Sequence, residues 1–137
     1  MKTPTPDTVF EFTDFEDVTS AEVRIKNPVT GASTLMVVTL AGPEHPERKR
    51  ITFARQRRMR AALAKTGRIQ VNDPEDDDTE ELDLLVSCTL GWQGAPAPFS
   101  PAECRRLYAD PKRRWLRDQV STALNERELF TRSSASV

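Results

Sequence analysis

The chain of 137 residues predicts an α+β fold: an N-terminal antiparallel β-hairpin or small sheet within residues 8–42, then a four-helix part over residues 44–132. Three observations predict it. Residues 21–26 alternate apolar and charged side chains without a fault, the period-two mark of a half-buried strand. Residues 34–40 form a β-branched, apolar run across a turn cluster from the first strand. Beyond Gly42-Pro43 the apolar spacing widens to helical periods, and helix start and stop signals recur. The length suits a single domain, 1–137, with residues 1–7 and 133–137 as loose tails.

Residues 9–15 place Phe10 and Phe12 on one face and read as a further strand or edge segment. In the 21–26 strand, Ala21, Val23 and Ile25 point inward and Glu22, Arg24 and Lys26 toward water. The Asn-Pro-Val-Thr-Gly run at 27–31 supplies the turn, with Gly31 able to take positive φ. Residues 44–65 lack glycine and are rich in Ala, Arg, Lys and Met, with Pro46 suited to a first turn and Gly67 to a C-cap. Ile51, Ala54, Met59, Ala62 and Leu63 give this helix a thin apolar stripe. Residues 72–78 read as an acidic loop, with Thr79 the N-cap of a second helix. Leu82, Leu85, Val86 and Thr89 fall on one face of that helix, which ends at the Gly-Trp-Gln-Gly run of 91–94. A linker follows at 95–99. Ser100, Pro101 and Glu103 have the spacing of a capping box and open a third helix carrying Cys104, Leu107 and Tyr108 inward. The fourth helix spans 111–132, with Trp115, Leu116, Val120, Ala123, Leu124 and Phe130 apolar. Leu82, Leu85, Val86, Trp115, Leu116 and Val120 are the expected core anchors.

Composition narrows the function classes. Lys and Arg number 20 against 21 Asp and Glu, for a net charge of −1, which argues against a uniformly basic nucleic-acid coat. With 37% hydrophobic and 30% charged residues, the chain can build a core. No apolar run reaches membrane-spanning length. The start of the chain lacks the apolar core of a secretory signal, so a cytoplasmic location is expected. Two cysteines are too few for a disulfide framework, and reduced thiols are expected.

Catalytic chemistry finds little support. His45 is the sole histidine, and Cys88 and Cys104 read as buried structural thiols. The sequence holds no Cys-x-x-Cys, His-Glu-x-x-His, Gly-x-Ser-x-Gly or phosphate-cradling glycine pattern. The acidic run lacks the spacing and glycine of a calcium loop. No enzyme activity, cofactor or metal is expected.

The sharper feature is charge segregation. Residues 48–68 hold nine basic residues and no acid, and residues 73–83 hold eight acids and no base. A basic helix could meet phosphates. It could equally be a solvated face compensated by the acidic segment, in the same chain or a neighbouring subunit. With neither a helix-turn-helix nor an aromatic platform evident, charge-complementary protein contact is the stronger expectation. Candidate partner-binding residues are Arg55, Arg57 and Arg58 on the basic helix, with Trp92, Gln93 and Phe99 around the second helix exit.

The order of motifs resembles the tail assembly chaperones of long-tailed bacteriophages and prophages. The likeness rests on the 21–31 hairpin run Ala-Glu-Val-Arg-Ile-Lys-Asn-Pro-Val-Thr-Gly, the basic helix, the 84–94 run Leu-Leu-Val-Ser-Cys-Thr-Leu-Gly-Trp-Gln-Gly, the Phe99-Ser100 helix start and the 115–119 run Trp-Leu-Arg-Asp-Gln. It covers about residues 8–131. The resemblance implies a non-catalytic protein of the host cytoplasm, absent from the mature virion. Such a protein binds the tape measure protein and helps recruit tail tube protein. Independently of the resemblance, a β-ribbon with open edges can mediate self-association along the client. The alternative is a small nucleic-acid-binding or regulatory protein using residues 48–68.

Overall fold

A computed structural model describes residues 11–69 and 73–133. The α+β architecture holds, and its strands come from both halves of the chain. The order is β1 (Phe15–Asp17), β2 (Ser20–Lys26), β3 (Ser33–Ala41), α1 (Pro46–Thr66), α2 (Pro74–Cys88), β4 (Thr89–Gln93), α3 (Pro101–Ala109), α4 (Arg114–Leu124) and β5 (Thr131–Ser133). Single 3-10 turns precede β1, α4 and β5.

The expected hairpin forms. β2 and β3 pair antiparallel from Ser20 opposite Ala41 to Lys26 opposite Ser33. At the turn, Asn27 Oδ1 accepts from the backbone N–H groups of Val29 (2.9 Å) and Thr30 (3.1 Å), and Gly31 takes φ 76°. The alternation predicted for β2 holds: Ile25 is buried, Ala21 and Val23 partly so, and Glu22, Arg24 and Lys26 are exposed. The end of β2 is tied to α4, where Gln119 Oε1 accepts from Lys26 N–H (2.9 Å) and its Nε2 donates to Lys26 C=O (2.8 Å).

Four expectations need correction. Residues 89–93 are not the end of the second helix. They leave it at Cys88 and form β4, the third strand of an antiparallel sheet ordered β2-β3-β4. The β-branched Thr89 and aromatic Trp92 suit a strand, and sheet pairing outweighs the helical spacing of Thr89. Residues 73–78 are not a loop. α2 starts at Pro74 with Asp73 as N-cap, and Glu75, Asp76 and Asp77 in its first turn face the positive end of the helix dipole. Thr79 therefore lies inside the helix, its hydroxyl donating to Glu75 C=O at 3.0 Å. The last helix does not run to 132. It stops at Leu124, and the chain turns at residues 125–130 into β5, which pairs with β1. Lastly, the 9–15 segment is not one strand: a 3-10 turn at Phe12–Asp14 leads into β1. Val9, Phe10, the 1–7 tail, the first part of the acidic run at Asn72 and the 134–137 tail lie outside the described residues.

The core lies between the inner face of the sheet and α2, α3 and α4. Ile25, Val38, Leu40 and Ala41 from the sheet meet Leu85, Cys88, Cys104, Tyr108, Leu116, Val120, Ala123, Leu124 and Phe130 in one buried cluster. Leu82 and Val86 pack on its margin. The predicted anchors Leu85, Leu116 and Val120 are thus central, whereas Trp115 is 37% exposed. It precedes the inward stripe of Leu116, Val120, Ala123 and Leu124 by one position, about 100° round the helix. The buried hydroxyls are satisfied: Thr89 Oγ1 donates to Leu85 C=O at 2.7 Å and lies 3.0 Å from Tyr108 Oη.

Candidate partner-binding surface

α1 is built to be a helix in its own right. His45 Nδ1 accepts from Glu47 N–H (3.1 Å), Pro46 opens the first turn, and Gly67 at φ 68° closes the last with its N–H on Leu63 C=O (2.7 Å). Its interior is mostly Ala, Arg, Gln, Met and Lys, all strong helix formers. Yet none of its 21 residues is buried. It is held at its base by Arg48, whose Nη1 donates to Ala41 C=O (3.1 Å) and whose guanidinium lies 5.8 Å from the Phe130 ring centre. Ile51, Ala54 and Ala62 are half-buried. Arg55 pairs with Glu80 of α2 at 3.5 Å.

The rest of α1 faces solvent. Phe53 is 50%, Met59 58% and Leu63 46% exposed, so of the apolar stripe expected to seat this helix Ile51, Ala54 and Ala62 are partly covered while Met59 and Leu63 are not. Arg57, Arg58 and Arg60 are exposed and make no ion pair among the described residues. Arg55 and Arg58, and Arg57 and Arg60, stand three apart on the helix, a spacing at which like charges repel. These turns carry cationic and apolar groups on successive sides of the helix, and beyond the Arg55–Glu80 pair they lack counter-charges among the described residues.

The neighbouring acids divide into two sets. Asp78 and Glu81 are structural. Asp78 Oδ1 accepts from Arg117 Nη2 (2.9 Å) and Arg114 Nη1 (3.3 Å), and Arg117 Nη2 also donates to Asp78 C=O (3.0 Å). Arg117 is 3% exposed. Its Nε has no hydrogen-bond partner among the described residues and lies 3.6 Å from a Glu81 carboxylate oxygen. Glu75, Asp76 and Asp77 are exposed, and no ion pair engages them among the described residues. Sequence reading passed over them as a solvated loop. Their helical placement, which a Pro following Asp73 and preceding three acids signals, makes them a compact anionic end.

The arginine contacts hold the Asp78 carboxyl below its ordinary range: the Arg117 hydrogen bond contributes most, desolvation opposes it, and the Arg117 charge, the Arg114 hydrogen bond and the Arg114 charge add to the lowering. A carboxyl whose folded pKa is depressed lends stability that is present above its unfolded pKa, about 3.9, and is lost as pH falls through the folded value. Asp78→Asn should therefore flatten the fall of thermal stability below about pH 4. Melts of both proteins across the acid range check this, and an unchanged slope would sink the assignment.

The aromatic candidates are positioned differently from expectation. Trp92 does not sit at a helix exit; it lies in β4 opposite Val38. Its ring meets Phe99 edge-on, with centroids 5.0 Å apart and planes at 87°, and Nε1 donates to Ala97 C=O at 2.9 Å. The fold brings Trp92 and Phe99 together as a strut on the core margin. Gln93 is exposed at the end of β4, opposite Val37. The two tryptophans thus exchange roles. Trp92→Ala is expected to cost about 3–4 kcal/mol and Trp115→Ala about 1–2 kcal/mol. Thermal melts that rank them the other way would refute the exchange.

His45 and the two cysteines occupy structural positions. His45 caps α1. Burial pushes the Cys88 thiol up to about 11, the charge of Arg48 opposing only in part, and burial also raises Cys104. Among the described residues there is no group of three or more His, Cys, Asp or Glu that could hold a metal ion, and no helix long and apolar enough to cross a membrane. The chain matches no protein-family model, no curated protein and no solved structure.

Proposed function

We propose that this chain is a non-catalytic assembly chaperone of a phage tail, which holds the tape measure protein through α1 and helps recruit tail tube subunits in the host cytoplasm. The resemblance of the 21–31, 84–94 and 115–119 runs suggests the class. One observation carries the reading to a surface: a helix of 21 residues, capped at both ends, that buries none of them. A helix kept that long outside the core needs a use outside the core. Met59 and Leu63, one turn apart and both exposed, can cover part of a client helix's apolar stripe. Arg57, Arg58 and Arg60 around them select acidic flanks.

The apolar residues among the arginines favour a protein partner over nucleic acid. A phosphate-binding helix would need the arginines alone. Co-expression with a candidate tape measure protein and pull-down tests the proposal. Wild type should retain the client, and Met59→Glu with Leu63→Glu should lose it while melting like wild type. No retention by wild type, or tight and sequence-selective retention of DNA at physiological salt, would replace this reading with the nucleic-acid one.

A further inference from the structure

The fold leaves two complementary charge sets unmatched on one helical pair. α1 presents Arg57, Arg58 and Arg60, and the first turns of α2 present Glu75, Asp76 and Asp77. Within the chain the two helices share a single described ion pair, Arg55 with Glu80. The remaining charges of each set find no partner among the described residues. Repulsion between arginines three apart makes an external counter-charge favourable for α1. The anionic end of α2 is the densest group of exposed acids on the described surface that arginines do not already engage.

We propose that α1 of one copy docks against the acidic first turns of α2 in a second copy, forming a two-fold dimer. Since each chain carries both halves of the complement, a two-fold axis makes the contact twice, with α1 meeting α2 and α2 meeting α1. Met59 and Leu63, beside the arginines, supply apolar area that a purely ionic contact in water would lack. The α1 helix is about 31 Å long, enough for both α2 contacts to fall along a shared seam. Charge pairing sets the orientation and resists the parallel arrangement, in which arginines would face arginines. The dimer needs no client, and because it covers Met59 and Leu63, which the chaperone reading gives to the client, the two occupants compete for α1.

Sedimentation equilibrium of the full chain tests it. Wild type at low salt should show twice the 15.5 kDa chain mass and should dissociate as salt rises. Arg57→Glu with Arg58→Glu should fall to the single-chain mass, as should Glu75→Lys with Asp76→Lys and Asp77→Lys. An equimolar mixture of the two variants should recover the double mass, because reversed charges again face their opposites. A single-chain mass for wild type at low salt, a double mass for either variant alone, or failure of the mixture to recover overturns the proposal. Should either charge-reversed variant melt lower than wild type, the neutral Arg57→Gln with Arg58→Gln and Glu75→Gln with Asp76→Asn and Asp77→Asn take their place, each with loss of the double mass expected and its retention decisive against. The acidic-end variant also separates the two proposals: it should be single-chain and still retain the client.

Discussion

Gly94→Ala is expected to destabilise the protein by on the order of 3–5 kcal/mol. Gly94 follows β4 at φ 71°, where an L side chain is strained. More decisive is what surrounds it. A Cβ there would lie 2.0 Å from the Leu35 carbonyl oxygen, 2.5 Å from its carbon and 3.1 Å from Met36 N. All three are backbone atoms of β3, which cannot yield without breaking the β3–β4 pairing that begins at Val37 opposite Gln93. Loss of that register would displace Trp92 from Val38 and from Phe99. Gly31 supplies the control. It has φ 76° and nothing within 4 Å of the same added atom, so Gly31→Ala isolates the backbone cost, roughly 1 kcal/mol. Denaturant melts of both variants measure the contrast. If Gly94→Ala costs no more than Gly31→Ala, the close approach of the two strands is not as described.

The same strand shows where sequence reading fell short. The β2–β3 hairpin was legible because every local signal agreed: alternation in β2, β-branched residues in β3 and a turn sequence between them. β4 was not, because Thr89 continues the apolar face of α2 at helical spacing while also beginning a strand. Only the partner strand, fifty residues earlier, decides between the two, and pairing of that range leaves no local mark. The α3 start was legible from its capping residues, with Ser100 Oγ accepting from Glu103 N–H at 3.1 Å. The end of α4 was not: residues 125–130 hold neither Gly nor Pro, and the helix stops where Phe130 must turn inward. Of the candidate surface, the arginines were legible as charge, and the unburied state of α1 was not. Ile51, Ala54, Met59, Ala62 and Leu63 have a buried helix's composition, and burial depends on what the rest of the fold places opposite them.

Phe130→Ala carries the second large effect, expected at roughly 3–5 kcal/mol, or about 10–20 °C in melting temperature. The ring is 1% exposed and fills the corner where three parts of the chain converge. The Phe130 carbonyl accepts from Val18 N–H at 2.8 Å, tying the C-terminal turn to the segment before β2. Its ring takes the Arg48 guanidinium at the base of α1. Its Cδ1 would lie 2.8 Å, and its Cγ 3.1 Å, from a Cβ added at Gly42. Emptying the site should therefore loosen α1 and the β1–β5 ribbon together. It should also create room where Gly42 now has none. Gly42→Ala alone should cost about 1–3 kcal/mol, because a fully buried ring cannot step aside. In the Phe130→Ala background most of that cost should vanish, leaving only the 3.0 Å approach to the Val18 carbonyl oxygen. The two single losses should then sum to about 1 kcal/mol or more above the loss in the double variant. Denaturant melts of the four proteins close the cycle. Strict additivity would mean that the ring does not abut Gly42, and a wild-type melt for Phe130→Ala would remove the corner from the core altogether.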